Sequence, residues 1–270
     1  MNWKQKSERL SNELLTTARK QVLRICDGLV RSPDKDLLNA THEVRKRIKK
    51  LRALLRLTRD RIGEPFQKRQ NRTLRAIAHS LAPMRDTTAQ VATCEKLHQH
   101  FPKEVPKKVF ANVVKAITNG HSFSEGSLES RKELTHKLRM ALKAVEYPPL
   151  KRLKKKDLRA GFKRAGRRYR KEYERARKSA TDENLHAWRI RTKDLLNQLD
   201  IIRETLSKAE DKWGKRLEKL ARFLGDDHDL AMLEHRLREL NLHALHQLEK
   251  PIHKWRQQLQ KEAFTLARKL

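Results

Sequence analysis

The sequence predicts an all-α fold, and three observations carry that reading. Apolar residues recur at intervals of three and four along most of the chain, the period of an amphipathic helix, and no stretch alternates with the period of two of a half-buried strand. Leu, Ala, Glu, Lys, Arg and Gln, all good helix formers, are abundant. Gly and Pro number eight each in 270 residues, which leaves few turns for a chain built of strands.

Taken in order, Leu10, Leu14, Ala18, Val22, Ile25 and Leu29 mark a first long helix. Ser32 and Pro33 supply an N-cap and a first-turn proline for a second, which runs to Gly63. Pro65 opens a third helix, Pro83 interrupts it near the start of a fourth, and Pro102 and Pro106 bracket the entry to a fifth that ends at Asn119-Gly120. The segment HSFSEGS at 121–127 has the composition of a loop and is the expected boundary between two halves, about 1–125 and 126–270, of a single domain spanning 1–270. A helix from about Leu128 to Glu146 follows, Tyr147-Pro148-Pro149 breaks it, and a basic helical stretch leads to helices at 182–207, 209–224, 226–247 and 251–269.

The segment HEVRKRIKKL at 42–51 aligns with HAWRIRTKDL at 186–195, an offset of 144. At that offset the apolar seam Val44, Ile48, Leu51, Leu55, Thr58, Ile62 falls onto Trp188, Thr192, Leu195, Leu199, Ile202, Leu206. LAPMRD at 81–86 resembles LGDDHD at 224–229 at an offset of 143, the difference a one-residue change in a loop would make. Two hairpin-rich halves related by duplication are therefore expected.

Charge bounds the function. Sixty-five Lys and Arg against 33 Asp and Glu give a formal net charge of +32, which speaks of partners: nucleic acid, an anionic membrane surface or a phosphate polymer. At about 100° per residue, His42, Arg45, Lys49, Arg52, Arg56 and Arg59 form one column beside the apolar seam of the second helix, and His186, Arg189 and Lys193 hold the same angle in the later one. Charges placed only to avoid the core would take the opposite face, so these columns are expected to line a groove. Donors three or four residues apart rise about 5–6 Å and present themselves to successive phosphates of a linear polyanion. Arg grips phosphate oxygens as a fork, Lys as a point charge, and His gains a proton beside an anion. The stretch 151–178 adds fifteen Lys and Arg against the three acids Asp157, Glu172 and Glu174, and Arg164, Arg167, Arg168, Lys171 and Arg175 recur there at helical spacing. The bland reading of all these cations is a solvated basic face.

The doubled H-x-x-R-x-x-x-K, preceded by a basic helix and followed by an L-G-x-x-x-D turn, resembles a CHAD domain over most of the chain. The resemblance implies two pseudo-symmetric helical bundles that bind inorganic polyphosphate along a basic groove, with His42, Arg45, Lys49 and Arg52 as the first motif and His186, Arg189 and Lys193 as the second. Arg56, Arg164 and Arg167 extend that candidate binding set. Leu196 stands where a second Arg is expected, Ala82-Pro83 replaces the glycine-type turn, and His228 replaces an Arg beside Asp229, so the first half is expected to be the stronger surface.

Enzymatic constellations are missing from the sequence. The triphosphatase sometimes fused to this family carries E-x-E-x-K on a strand, whereas Glu172 and Glu174 lie in a helical stretch with Ala176 at the lysine position. Gly161 to Arg168 lacks the Lys-Ser/Thr ending of a phosphate loop and any preceding strand. Asp226, Asp227, His228 and Asp229 are potential metal ligands, but an acidic cluster at a helix start, with Asp86 and Asp229 orienting arginines, is the simpler expectation, and His243, His246 and His253 read as ordinary surface or packing residues. Cys26 and Cys94 are expected to be packed thiols. No secretory leader or run of about 18 apolar residues appears, so the expected place is the cytoplasm, with polyphosphate granules a site of association. The expectation is a non-enzymatic polyphosphate binder without a cofactor. Nucleic acid is the alternative ligand, disfavoured by only 5% aromatic residues, and a polyphosphate-metabolising enzyme is a further candidate partner.

Overall fold

The computed structural model describes residues 37–80, 83–119, 136, 140, 153–203, 208–240 and 244–270, and the side chains of 37–42, 80, 83–88, 119, 208–211 and 244–246 lie outside that description. The expected helix at 10–29, that at 128–146 apart from His136 and Met140, the 121–127 loop and Cys26 also lie outside the described residues. What is described is helix, with no strand: α1 Leu37–Leu57, α2 Arg59–Ile62, α3 Glu64–Ser80, α4 Pro83–His100, α5 Lys107–Asn119, α6 Lys155–Lys178, α7 Asp182–Ile202, α8 Lys208–Glu239 and α9 Ala244–Ala267. Pro65 and Pro83 lie at the starts of α3 and α4, where a missing N–H costs nothing.

The chain gathers into two compact units, the first drawn from Met1–Arg85, Ser124–Arg168 and Asn197–Thr205, the second from Asp86–Phe123, Tyr169–Leu196 and Leu206–Leu270. Each unit takes residues from both sides of position 125, and α4, α6 and α7 each contribute to both.

In the first unit α1 and α3 pack antiparallel, since Arg45 meets Ala78 while Arg52 and Arg56 meet Asn71. Val44, Ile48, Leu54, Leu55, Leu57, Leu74 and Ile77 are buried, so the predicted seam of α1 faces the core, with Leu51 only half-buried. The expected single helix to Gly63 is interrupted at Thr58, whose N–H and hydroxyl both donate to Leu54 O, at 2.9 and 2.8 Å. The short α2 then ends at Gly63, which takes φ +85, a left-handed conformation that L side chains rarely adopt. On α6, Gly161 sits so close to the end of α1 that an added Cβ would lie 1.9 Å from Leu57 O.

In the second unit α8 and α9 form a long antiparallel pair: Trp213 Nε1 donates to Leu270 O at 3.1 Å, and Asp227 meets Arg256. Here two expectations are corrected. The helices expected at 209–224 and 226–247 are one helix through Gly225, because Leu217, Leu220, Leu224, Leu230, Leu233 and Leu237 bury a continuous stripe that outweighs the ~1 kcal/mol a helical glycine costs. The LGDDHD segment is therefore mid-helix rather than a turn, and its acids do not sit at a helix start. The last helix begins at Ala244 rather than 251 and carries Pro251 internally, with that ring buried beside Leu248 and Ile252. Trp188, fully buried, stacks on Phe264 at 5.1 Å and lies 5.3 Å from Tyr173, tying α7 to α9 and α6. Cys94 is buried as expected, and burial pushes its thiol up to about 12. Among the described residues no helix is long and apolar enough to cross a membrane.

Candidate functional site

In the first unit, the helical period that buries Val44 and Ile48 brings Arg45, Arg52 and Arg56 to the edge of the core, half-buried, and leaves Lys49 exposed. Arg45 Nη1 donates to Ala78 O at 2.6 Å, and Asn71 Oδ1 accepts from Arg52 Nε at 2.8 Å and Arg56 Nη1 at 3.4 Å. These acceptors are neutral oxygens, and they orient the guanidiniums. The side chain of His42 lies outside the described residues.

Beside this column a depression of about 460 Å³ is lined by Arg45, Arg72, Arg75, Ala76, Ala78 and His79, with no carboxylate among its described lining residues. Arg72, Arg75 and His79 of α3 were not singled out in the sequence. Their R-x-x-R-x-x-x-H repeats the spacing of the first motif.

Arg164 has a different role from the other predicted cations. Its Nη2 donates to Arg56 O at 2.9 Å, at the electronegative C-terminus of α1, and its Nη1 pairs with Asp60. Burial raises the Asp60 carboxyl, but Arg164 and Arg59 more than offset that and hold it below its ordinary range. Arg164 thus locks α6 to α1 and α2, whereas Arg167 is exposed.

In the second unit, buried Leu185, Trp188, Thr192 and Leu195 fix the rotation of α7, so that His186, Arg189 and Lys193 emerge against α8. His186 Nδ1 lies 3.3 Å from His228 Nδ1, with ring centroids 4.5 Å apart. Arg189 Nη2 is 3.8 Å from Asp229 Oδ1, the orienting contact expected of that acid, while the Asp86 side chain is outside the described residues. The Lys193 ammonium reaches Gly225, 3.9 Å from where a Cβ would stand. Both imidazoles are less basic than usual. Burial lowers His228 to about 3, with Arg189, His186 and Lys193 adding to it, and partial withdrawal from solvent followed by Arg189 lowers His186.

The neighbouring acids are engaged. Asp226 pairs with Lys96 at 2.8 Å, and buried Asp227 accepts from Arg256 Nε at 3.1 Å and Gln260 Nε2 at 2.9 Å. Arg256 also pairs with Asp182 and with Glu234, so one guanidinium ties the start of α7 and the middle of α8 to α9. Glu234, Glu249 and His253 bring potential metal-ligand atoms within 4.8 Å of one another. Glu234 already accepts from Arg238, Arg256 and His253, so two guanidiniums supply the positive charge a metal would bring.

The CHAD domain model matches residues 13–238, which takes in α1 to α7 and all but the last residue of α8 and leaves α9 outside. No curated protein and no solved structure shows a significant match. With most of its length covered by that family model, the chain belongs to the CHAD domain family.

Proposed function

We propose that this protein binds inorganic polyphosphate through two cationic arrays, Arg45, Lys49, Arg52 and Arg56 with Arg72, Arg75 and His79 in the first unit, and His186, Arg189, Lys193 and His228 in the second, and that it does so without turning its ligand over. The observation that carries the reading is the depression whose described lining holds three arginines and a histidine and no acid, beside a row of oriented guanidiniums on α1. From Arg45 to Arg56 the helix rises about 16 Å, room for several consecutive phosphates. Family membership supports the ligand class, since polyphosphate binding is a general property of CHAD domains.

Titration with long-chain polyphosphate, duplex DNA and single-stranded DNA at ~150 mM salt, where non-specific electrostatic binding is weakened, tests the assignment. Polyphosphate is expected to bind at least tenfold more tightly than either nucleic acid. Equal affinity for all three, or a preference for nucleic acid, refutes it. No phosphate release from polyphosphate or nucleotides is expected, and metal-dependent release at enzyme-like turnover, abolished by changing one carboxylate of this chain, would refute the non-enzymatic part.

A further inference from the structure

Two imidazole nitrogens 3.3 Å apart cannot both carry a proton cheaply, because two cations would then face each other with little solvent between them. The groups facing the pair deepen that bias. Arg189 and Lys193 approach from α7, and of the nearby acids Asp229 of α8 is shared with Arg189, while Asp182 in the first turn of α7 is held by Arg256 of α9. Asp226 is answered by Lys96 of α4, and Asp227 by Arg256. The pair therefore rests largely neutral, one Nδ1–H directed at the other Nδ1, within a cationic cluster. A phosphate placed among these groups supplies the charge that protonation lacks, and it turns each imidazole into a charged donor.

We propose that His186 and His228 form a proton-coupled phosphate contact, so that each phosphate seated on the second unit draws protons onto the pair and this array tightens its hold as pH falls. The proposal rests on the reading that this array binds polyphosphate. Internal groups of a long polyphosphate are fully ionised across neutral and mildly acidic pH, so a ligand of many phosphates contributes little titration of its own. The arginines and lysines of both arrays keep their charge over the same range.

Calorimetric titration of the intact protein with long-chain polyphosphate, in buffers of different ionisation enthalpy at pH 6 and pH 8, counts the protons bound along with ligand. Net proton uptake at pH 6 is expected, with affinity about tenfold higher than at pH 8, one log unit spread over the window in which one to two imidazoles change charge. His228→Gln and His186→Gln should bring the pH 6 affinity close to the wild-type value at pH 8 and remove most of the proton uptake. Binding without proton uptake overturns this proposal and leaves polyphosphate binding standing, as does uptake that both variants retain. Absence of binding at either pH overturns the binding reading and the coupling together. Absence of proton uptake by the wild-type chain overturns the coupling even if a variant fails to fold, and His79→Gln, which changes the histidine of the first array, should leave most of the uptake in place.

Discussion

Arg164 of α6 and the pair Arg72 and Arg75 of α3 separate holding the fold from meeting the ligand. Arg164 closes the C-terminus of α1 through Arg56 O and pairs with Asp60. Arg164→Ala should therefore destabilise the protein by about 1–3 kcal/mol, the range for losing hydrogen bonds made by a charged group, as measured by denaturant titration. Arg72 and Arg75 are exposed and line the depression beside Arg45. Changing both to Ala should leave the unfolding midpoint nearly unchanged and weaken polyphosphate binding by about 2 kcal/mol or more, at roughly 1–3 kcal/mol per lost charge-assisted contact. If the double variant binds as the wild type does, the depression is not part of the site. At the histidine pair the sign of the pH effect is set by depressed folded-state values. The unfolded imidazoles titrate near 6.5 and His228 in the folded chain near 3, so unfolding takes up protons between those values. Without ligand, stability should be full above about pH 6.5 and fall as pH drops toward 3, and His228→Gln should flatten that loss in melting curves.

At the level of the elements, α6 holds a paired test of packing against propensity. Gly161 lies where a Cβ would meet Leu57 O at 1.9 Å and Leu57 C at 2.7 Å, both backbone atoms that cannot swing aside, whereas a Cβ on Gly166 meets nothing within 4 Å. Gly166→Ala should stabilise the protein by about 0.5–1 kcal/mol through helix propensity. Gly161→Ala gains the same propensity but must push α6 from α1, and a net loss of about 1–3 kcal/mol is expected in chemical denaturation. Stabilisation by both substitutions would mean that the helices do not approach at Gly161 in solution. The seams behave as their periodicity requires, since Val44, Ile48 and Leu55 on α1 and Trp188, Leu195 and Leu199 on α7 are buried. Element boundaries were read well where a proline opens a helix, as at α3 and α4. They were misread where glycine or proline sits inside one, as in α8 and α9, because a leucine stripe spanning the breaker offsets its local cost.

Across the whole molecule a formal charge of +32 disfavours the compact state through self-repulsion, which salt screens and a polyanion neutralises. The melting temperature of the unliganded protein should rise with salt from about 10 to 150 mM. At low salt, long-chain polyphosphate at a hundred times its Kd should add about 2.7 kcal/mol of stability. The logarithm of the binding constant should fall linearly with the logarithm of salt, by something under one unit per phosphate contacted, and the Arg72/Arg75 double variant should show a shallower slope. An unchanged slope would show that those side chains act only as diffuse charge. Pyrophosphate, too short to span from Arg45 to Arg56, should compete poorly per molecule with a long chain.

The sequence by itself determined the helical class, the seams of α1 and α7, and the placement of Arg45, Lys49, Arg189 and Lys193 beside those seams. It could do so because each depends on the 3.6-residue period or on side chains a few positions apart on one helix, where spacing alone sets direction. Only the tertiary structure decided which cations have other roles. That Arg164 caps α1, that Arg72, Arg75 and His79 stand beside Arg45, that His186 meets His228, and that Arg256 ties α7 and α8 to α9 all join residues 27 to 108 positions apart. Such pairings follow from how helices pack in space, and no local period encodes them.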